Sequence, residues 1–268
     1  MFPGVYGFQW NVGYLMFLGI FYAVLLAIGA TVALAIRRAI RAYRARQVEA
    51  LRWKADFEDL AAHDRACRHD IDGKTPGRVC QNGFDCRACA KHAEVAKDEA
   101  AAPAVAAEVM AGVPVPLDRM YHRGHTWVRP EPDGTVLVGL DEFARRLTGR
   151  PDWIELPQPG TQVEANGTAW RMARNGFSAR VLSPVDGTVV ETRGPGFEWY
   201  LKVNPSSTDR KHLLKGDEVR PWMLREAGRV GAMLGVAAAD GGALVEDAVA
   251  ALPEADWDAV WGGLFLEP

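Results

Sequence analysis

The sequence predicts an α+β protein. An N-terminal transmembrane helix and a helical stalk lead, through a cysteine-rich segment, to a β-sandwich or flattened barrel with C-terminal helices. Three observations predict this. Residues 12–36 contain no Asp, Glu, Lys or Arg. All four cysteines fall between positions 67 and 89. From Tyr121 to Val203 short β-like runs alternate with Gly and Pro turns. The 268 residues suit one or two globular domains, and the net charge of −3 lacks the basic excess of a nucleic-acid binder.

Residues 1–10 read as a short extracytoplasmic N-terminus and 11–36 as a transmembrane helix, since about 20 apolar residues cross a hydrocarbon core of roughly 30 Å. Tyr6, Trp10 and Tyr14 sit where interfacial aromatics belong. A cleaved signal peptide fits less well, because no basic region precedes the run and the run is too long. Arg37, Arg38, Arg41, Arg44 and Arg46 follow it. The positive-inside rule then puts the N-terminus outside and the remainder in the cytoplasm, as a single-pass protein of the inner membrane.

Residues 37–66 read as a helical stalk. Ile40, Tyr43, Val48, Leu51, Trp53, Phe57 and Leu60 form a rough apolar stripe that would pack on the next module or on a second copy. Residues 67–92 hold Cys67, Cys80, Cys86 and Cys89, spaced C-x12-C-x5-C-x2-C. Two disulfides would suit an oxidising compartment; the cytoplasmic topology favours a metal site instead. The C-x2-C pair lets two thiolates bind from one tight turn, and four thiolates suit zinc or an iron–sulfur cluster. Metal-free thiols or a redox disulfide are the alternative. Lys74, Arg78, Arg87 and Lys91 would offset thiolate charge. His63, His69 and His92 flank the cluster as substitute ligands or, more simply, as surface histidines. Residues 93–120 form an Ala/Pro-rich linker, with a helix or two and then an extended stretch.

Residues 121–226 form the β-rich domain. Strand-like runs cover 126–128, 135–139, 153–156, 168–173, 177–182, 187–191 and 199–203, and Asp141 is placed to cap a short helix over 141–147. His122, His125 and His212 read as structural. Residues 227–268 form a helical C-terminal extension, with an amphipathic helix over 244–252. Trp257, Trp261, Leu264 and Phe265 then follow at helical spacing, to pack on the domain or to stand exposed as a partner site.

Several motifs in this domain occur in a recognisable order. They are His125-Thr126-Trp127-Val128, Gly139-Leu140-Asp141-Glu142-Phe143-Ala144, Glu155-Leu156-Pro157 with Pro159-Gly160, Ser183-Pro184-Val185-Asp186-Gly187, and Trp199-Tyr200-Leu201-Lys202-Val203. In this order the domain resembles the glycine cleavage system H protein, a lipoyl-like fold, with Leu213, Leu214 and Trp222 matching its helical tail. The resemblance implies a lipoyl carrier, with the lysine at the tip of a hairpin just before the Pro184 turn. Gly176 stands at that position, Ala173 replaces the family's glutamate, and Arg180 replaces an aspartate. No lysine lies between Lys97 and Lys202, so no shift of register restores one. The chain therefore reads as a degenerate member of the family with no lipoate expected.

No Ser-His-Asp set, phosphate loop or dinucleotide fingerprint is present, and a non-enzymatic role is expected. The expected function is a membrane-anchored cytoplasmic binding or adaptor protein with a metal or redox cluster on its cysteines. One alternative is an electron-transfer or redox-sensing component; the other is a lipoyl carrier of a glycine-cleavage-type system. A protein partner would dock through the Arg174-Asn175-Gly176 hairpin, where Arg171 and Arg180 add charge, or through the aromatic tail.

Overall fold

The computed structural model describes residues 11–71, 73–95, 107–110, 112–235, 244–245 and 247–267. Tyr6, Trp10 and the Ala-rich stretch 96–106, read above as interfacial and helical, lie outside these residues. The chain divides into two units, Met1–Val48 and Glu49–Pro268.

Helix α1 spans Val12–Asp59. Its N-terminal part is long and apolar enough to cross a membrane, with a mean hydropathy of 2.4 over its most apolar 18 residues. Leu15, Phe17, Ile20 and Leu26 are all exposed, as expected for side chains with no protein core to enter. The predicted stalk ends sooner than residue 66. After Asp59 a turn forms, in which Asp64 N and Arg65 N donate to Ala61 O, and Leu60 is drawn into a core.

In the second unit, helices α2 (Arg68–Ile71) and α3 (Ala90–Val95) flank the cysteine loops. The predicted linker contains a β-hairpin, β1 (Ala107–Met110) paired with β2 (Val113–Pro116). Val113 and Val115 are buried in the main core, which explains why this stretch is not a free tether.

Two larger antiparallel sheets follow. Their strands are β3 (Met120–Tyr121), β4 (Thr126–Pro130), β5 (Val136–Leu140), β6 (Trp153–Glu155), β7 (Gln162–Val163), β8 (Thr168–Arg174), β9 (Phe177–Leu182), β10 (Gly187–Thr192) and β11 (Leu201–Pro205). One sheet has the order β3-β4-β5-β11-β10-β7 and the other β6-β8-β9. Val138, Val189, Leu201 and Val203 from the first share one core with Trp170, Met172 and Val181 from the second. Two antiparallel sheets around one core fit the α+β class expected for a β-sandwich or flattened barrel. Gly139 is required by close packing: a Cβ there would lie 2.6 Å from Glu198 O and 2.7 Å from the Trp127 ring.

Helix α4 (Glu142–Thr148) starts at Asp141, whose side chain accepts from Ala144 N at 2.8 Å. Helices α5 (Val219–Met233), α6 (Ala248–Ala251) and α7 (Trp257–Leu264) complete the unit. The helix expected over 244–252 is thus a single turn. Trp257, Trp261, Leu264 and Phe265 are each at most 1% exposed. The aromatic tail is therefore part of the core, which corrects the expectation that it could form an exposed docking site.

A second, smaller core joins Phe57 and Leu60 of α1, Phe84 of the cysteine loop, Leu182 of β9 and Leu266 of the tail, with Trp53 against it. At its edge Arg180 is 2% exposed. Its guanidinium pairs with Asp56, with Glu267 at 3.6 Å and with Glu49 at 3.7 Å, and its backbone N–H donates to Glu267 at 2.8 Å. Burial holds Asp56 above the usual carboxylate range although Arg180 and Arg52 pull it down.

A second buried charge group fixes the start of the domain. His125 Nδ1 lies 2.8 Å from Asp141, and its Nε2 lies 3.7 Å from Glu226 of α5. Burial opposes charge on the ring, but Asp141 and Glu226 outweigh it and raise His125 to about 9. Burial likewise opposes the Glu226 carboxylate, and His125 and Arg229 bring it down to about 2.

Two outcomes follow. Arg180→Met leaves three carboxylates without their shared cation and should lower stability by about 3 kcal/mol, read as a fall in the denaturation midpoint. Because the folded-state value of His125 is raised, its contribution is complete below pH 6.5 and fades as pH rises through about 9. Thermal midpoints should fall over that window in the wild type, and much less in His125→Asn.

Candidate functional site

The predicted hairpin is present. β8 and β9 pair with Arg174 opposite Phe177, leaving Asn175 and Gly176 as a two-residue turn. Both have positive φ, +50° and +86°, as the Asn-Gly pair requires. Asp152 accepts from Asn175 N at 2.8 Å. Nothing lies within 4 Å of a Cβ built on Gly176. The tip is thus open, as an attachment site would be, and it presents no amine.

The arginines around the hairpin are arranged differently from the expected exposed patch. Arg171 alone of the three is exposed, 3.7 Å from Glu155. Arg174 donates to Thr148 O at 2.9 Å and to Asp247 at 2.6 Å, so helices α4 and α6 hold it. Arg180 is internal. The chain's own stalk and tail supply carboxylates that a separate partner was expected to bring.

The cysteine segment folds back on itself. Cys67 N donates to Arg78 O at 2.8 Å and Cys80 N to Arg65 O at 2.6 Å, which brings the first two cysteines side by side. Cys86 and Cys89 occupy the turn before α3, where Cys89 N donates to Cys86 O at 3.3 Å. All four thiols are free and line one cavity of about 300 Å³. Cys67 is buried and the others are half-buried.

Two buried arginines line the same cavity. Arg68 is 6% exposed and donates its Nε to Glu218 at 2.8 Å. Arg123 comes from the β-rich domain and donates Nη1 to Ala66 O at 2.7 Å, with its guanidinium 4.2 Å from the Phe84 ring centroid. Its Nη2 is buried and has no hydrogen-bond partner among the described residues. Burial pushes the Cys86 thiol up to about 11, although Arg68 and Arg123 oppose this. A thiol so placed is protonated at neutral pH and is no ready nucleophile.

His69 and His92 also face the cavity, stacked with ring nitrogens 3.0 Å apart, and are buried instead of superficial. His63 lies apart, 3.3 Å from Asp64. His122 is neutral: burial, with His212 nearby, lowers it to about 3. His212 is lowered by burial and lies 2.8 Å from Pro184 O.

The expectation of four thiolates meeting on one tetrahedral ion is not matched by the side-chain positions. Among the described residues no group of three or more His, Cys, Asp or Glu side chains is arranged to hold a metal ion. The four thiols line one cavity without forming such a group. Of the cations expected to offset their charge, Arg78 lines the cavity. Arg87 instead pairs with Asp85 at 2.9 Å and with Asp186 of the Pro184 turn, fastening the loop to the β-rich domain. Arg68 adjoins Cys67 and could have been singled out from the sequence. Arg123 could not, since 34 residues separate it from the last cysteine and only the fold brings it back.

Comparison with known proteins agrees with the motifs. The profile of the family described as "Glycine cleavage H-protein" matches residues 119–195. The glycine cleavage system H protein of Burkholderia vietnamiensis is 32% identical over 111 residues, covering 41% of this chain and 79% of that protein. The H protein of Halorhodospira halophila is 33% identical over 107 residues, covering 35% and 82%. A crystal structure of the H protein from Mycobacterium marinum is 25% identical, covering 39% of this chain and 94% of that one, with a TM-score of 0.34. The 32% and 33% identities over 79% and 82% of the two H proteins from Burkholderia vietnamiensis and Halorhodospira halophila show that the chain belongs to the glycine cleavage H-protein family.

Proposed function

We propose that this chain is a membrane-anchored relative of the H protein that carries no lipoate and bears a metal or redox cluster on Cys67, Cys80, Cys86 and Cys89. The observation that carries this reading is the gathering of all four cysteines on one cavity lined by two buried arginines. H-protein domains are lipoyl carriers and not catalysts, and this one has lost the amine to which lipoate attaches. Its role is that of a tethered binding or adaptor module, non-enzymatic, with that cluster as its distinctive equipment.

The apolar part of α1 supports an anchor in the inner membrane, and the arginines after it support a cytoplasmic placement of the cluster. A reducing compartment keeps four thiols available as ligands. What remains exposed of the hairpin, Arg171, Asn175, Gly176 and Ser178, is the surface offered to a partner, with Arg174 at its base.

Two measurements test this. Coexpressed with a lipoate-attaching ligase and lipoate, the full chain should keep the intact mass of the unmodified polypeptide; a lipoyl adduct on any lysine overturns the lipoate-free reading. Full-length protein purified in detergent without oxygen should contain bound metal by elemental analysis. Cys86→Ser with Cys89→Ser should lose it; equal metal in both samples overturns the assignment to the cysteines.

A further inference from the structure

Arg123 is a buried cation with no counter-charge bound to it. It is 9% exposed, and a guanidinium does not give up its proton in proteins. Its Nη1 donates to Ala66 O at 2.7 Å, and its face lies 4.2 Å from the Phe84 ring centroid. Neither of these partners is charged. Its Nη2 is buried and meets no acceptor among the described residues. Glu226 favours its charge, but that carboxylate is committed to Arg229 at 2.6 Å and to His125 at 3.7 Å. Buried charges in folded proteins are paired, since an unpaired one loses its hydration with nothing to replace it.

The cavity that Arg123 lines carries the same excess. Arg68 is matched by Glu218. Asp85, the one carboxylate in the described lining, is held by Arg87 at 2.9 Å. Arg78 also lines the cavity, is exposed, and adds a second positive charge. His212, another lining residue, adds an acceptor. Its Nε2 lies 2.8 Å from Pro184 O, and a carbonyl only accepts, so Nε2 carries the proton. Nδ1 is then a buried acceptor with no donor among the described residues.

The lining thus leaves a buried donor, a buried acceptor and positive charge to be met. Inorganic phosphate meets all three. It is an anion, its oxygens accept from guanidinium N–H groups, and at neutral pH it keeps an O–H that donates to a ring nitrogen. Sulfate has no proton at that pH, and a phosphomonoester, with a second pKa of about 6, has mostly lost its own. We infer that this cavity binds inorganic phosphate, with Arg123 and Arg78 supplying the charge and His212 Nδ1 accepting from the phosphate O–H. The site needs no metal or cluster on the cysteines.

The test uses the full chain in detergent with chelator and reductant, titrated by calorimetry with phosphate, sulfate and glycerol 3-phosphate. Saturable phosphate binding, tighter than either competitor by about tenfold, supports the site. No saturable phosphate binding overturns it. Sulfate bound equally well overturns the role of His212, and glycerol 3-phosphate bound more tightly overturns the free ion as ligand. Arg78→Ala changes an exposed residue and should weaken phosphate binding by about threefold with the thermal midpoint unchanged. Arg123→Met, checked for folding by circular dichroism, should abolish binding; phosphate binding that survives in the folded variant overturns the site. Cys86→Ser with Cys89→Ser should bind phosphate as the wild type does, whatever becomes of the cluster. Loss of phosphate in that variant places the anion on the thiols and overturns the assignment to the arginines.

Discussion

The arrangement of the second unit depends on one buried guanidinium. Arg180 sits on β9, beside the Asn175-Gly176 hairpin, and it draws in three carboxylates from two places in the chain. Asp56 and Glu49 come from the end of α1, and Glu267 comes from the last residues described. A charge this deep is tolerated only when it is paired, and removing its partners exposes the full desolvation cost. Stalk and tail are thereby bound to the same strand, and the small core of Phe57, Leu60, Phe84, Leu182 and Leu266 closes beneath them.

The departures from the family pattern share a physical explanation. Where the pattern has aspartate, Arg180 receives the stalk and tail. In the turn after β9, Asp186 receives Arg87 and the cysteine loop, and also accepts from Ala165 N at 2.9 Å. Gly176, at the position where the resemblance places the lysine, keeps the turn and has no amine. This surface docks the chain's own stalk, tail and cysteine loop. The same docking brings Arg123 of the β-rich domain against the cysteine cavity.

Much of this was legible in the sequence wherever the signal was local. The Asn175-Gly176 turn, the Asp141 cap, the strand alternation and the uncharged run in α1 each depend on residues a few positions apart. The β1–β2 hairpin was not legible, because Pro114 and Pro116 resemble linker punctuation and only burial of Val113 and Val115 reveals strands. Exposure of Arg174, Arg180 and the aromatic tail was misjudged for a related reason. Their partners, Asp247, Asp56 and Glu267, lie 73, 124 and 87 residues away, and no periodicity reports such pairings. The four cysteines were visible at once, but their spacing gives no measure of the space between their side chains.

The central claim is that the hairpin flank is occupied by the chain's own stalk and tail. Hydrogen exchange at residues 177–182 tests it most directly, comparing the full chain with one ending at residue 235. The account predicts that loss of the tail removes Glu267 from Arg180 N and speeds exchange there, while strands β4 and β5 on the other sheet stay protected. Unchanged protection over 177–182 in the shortened chain would contradict it.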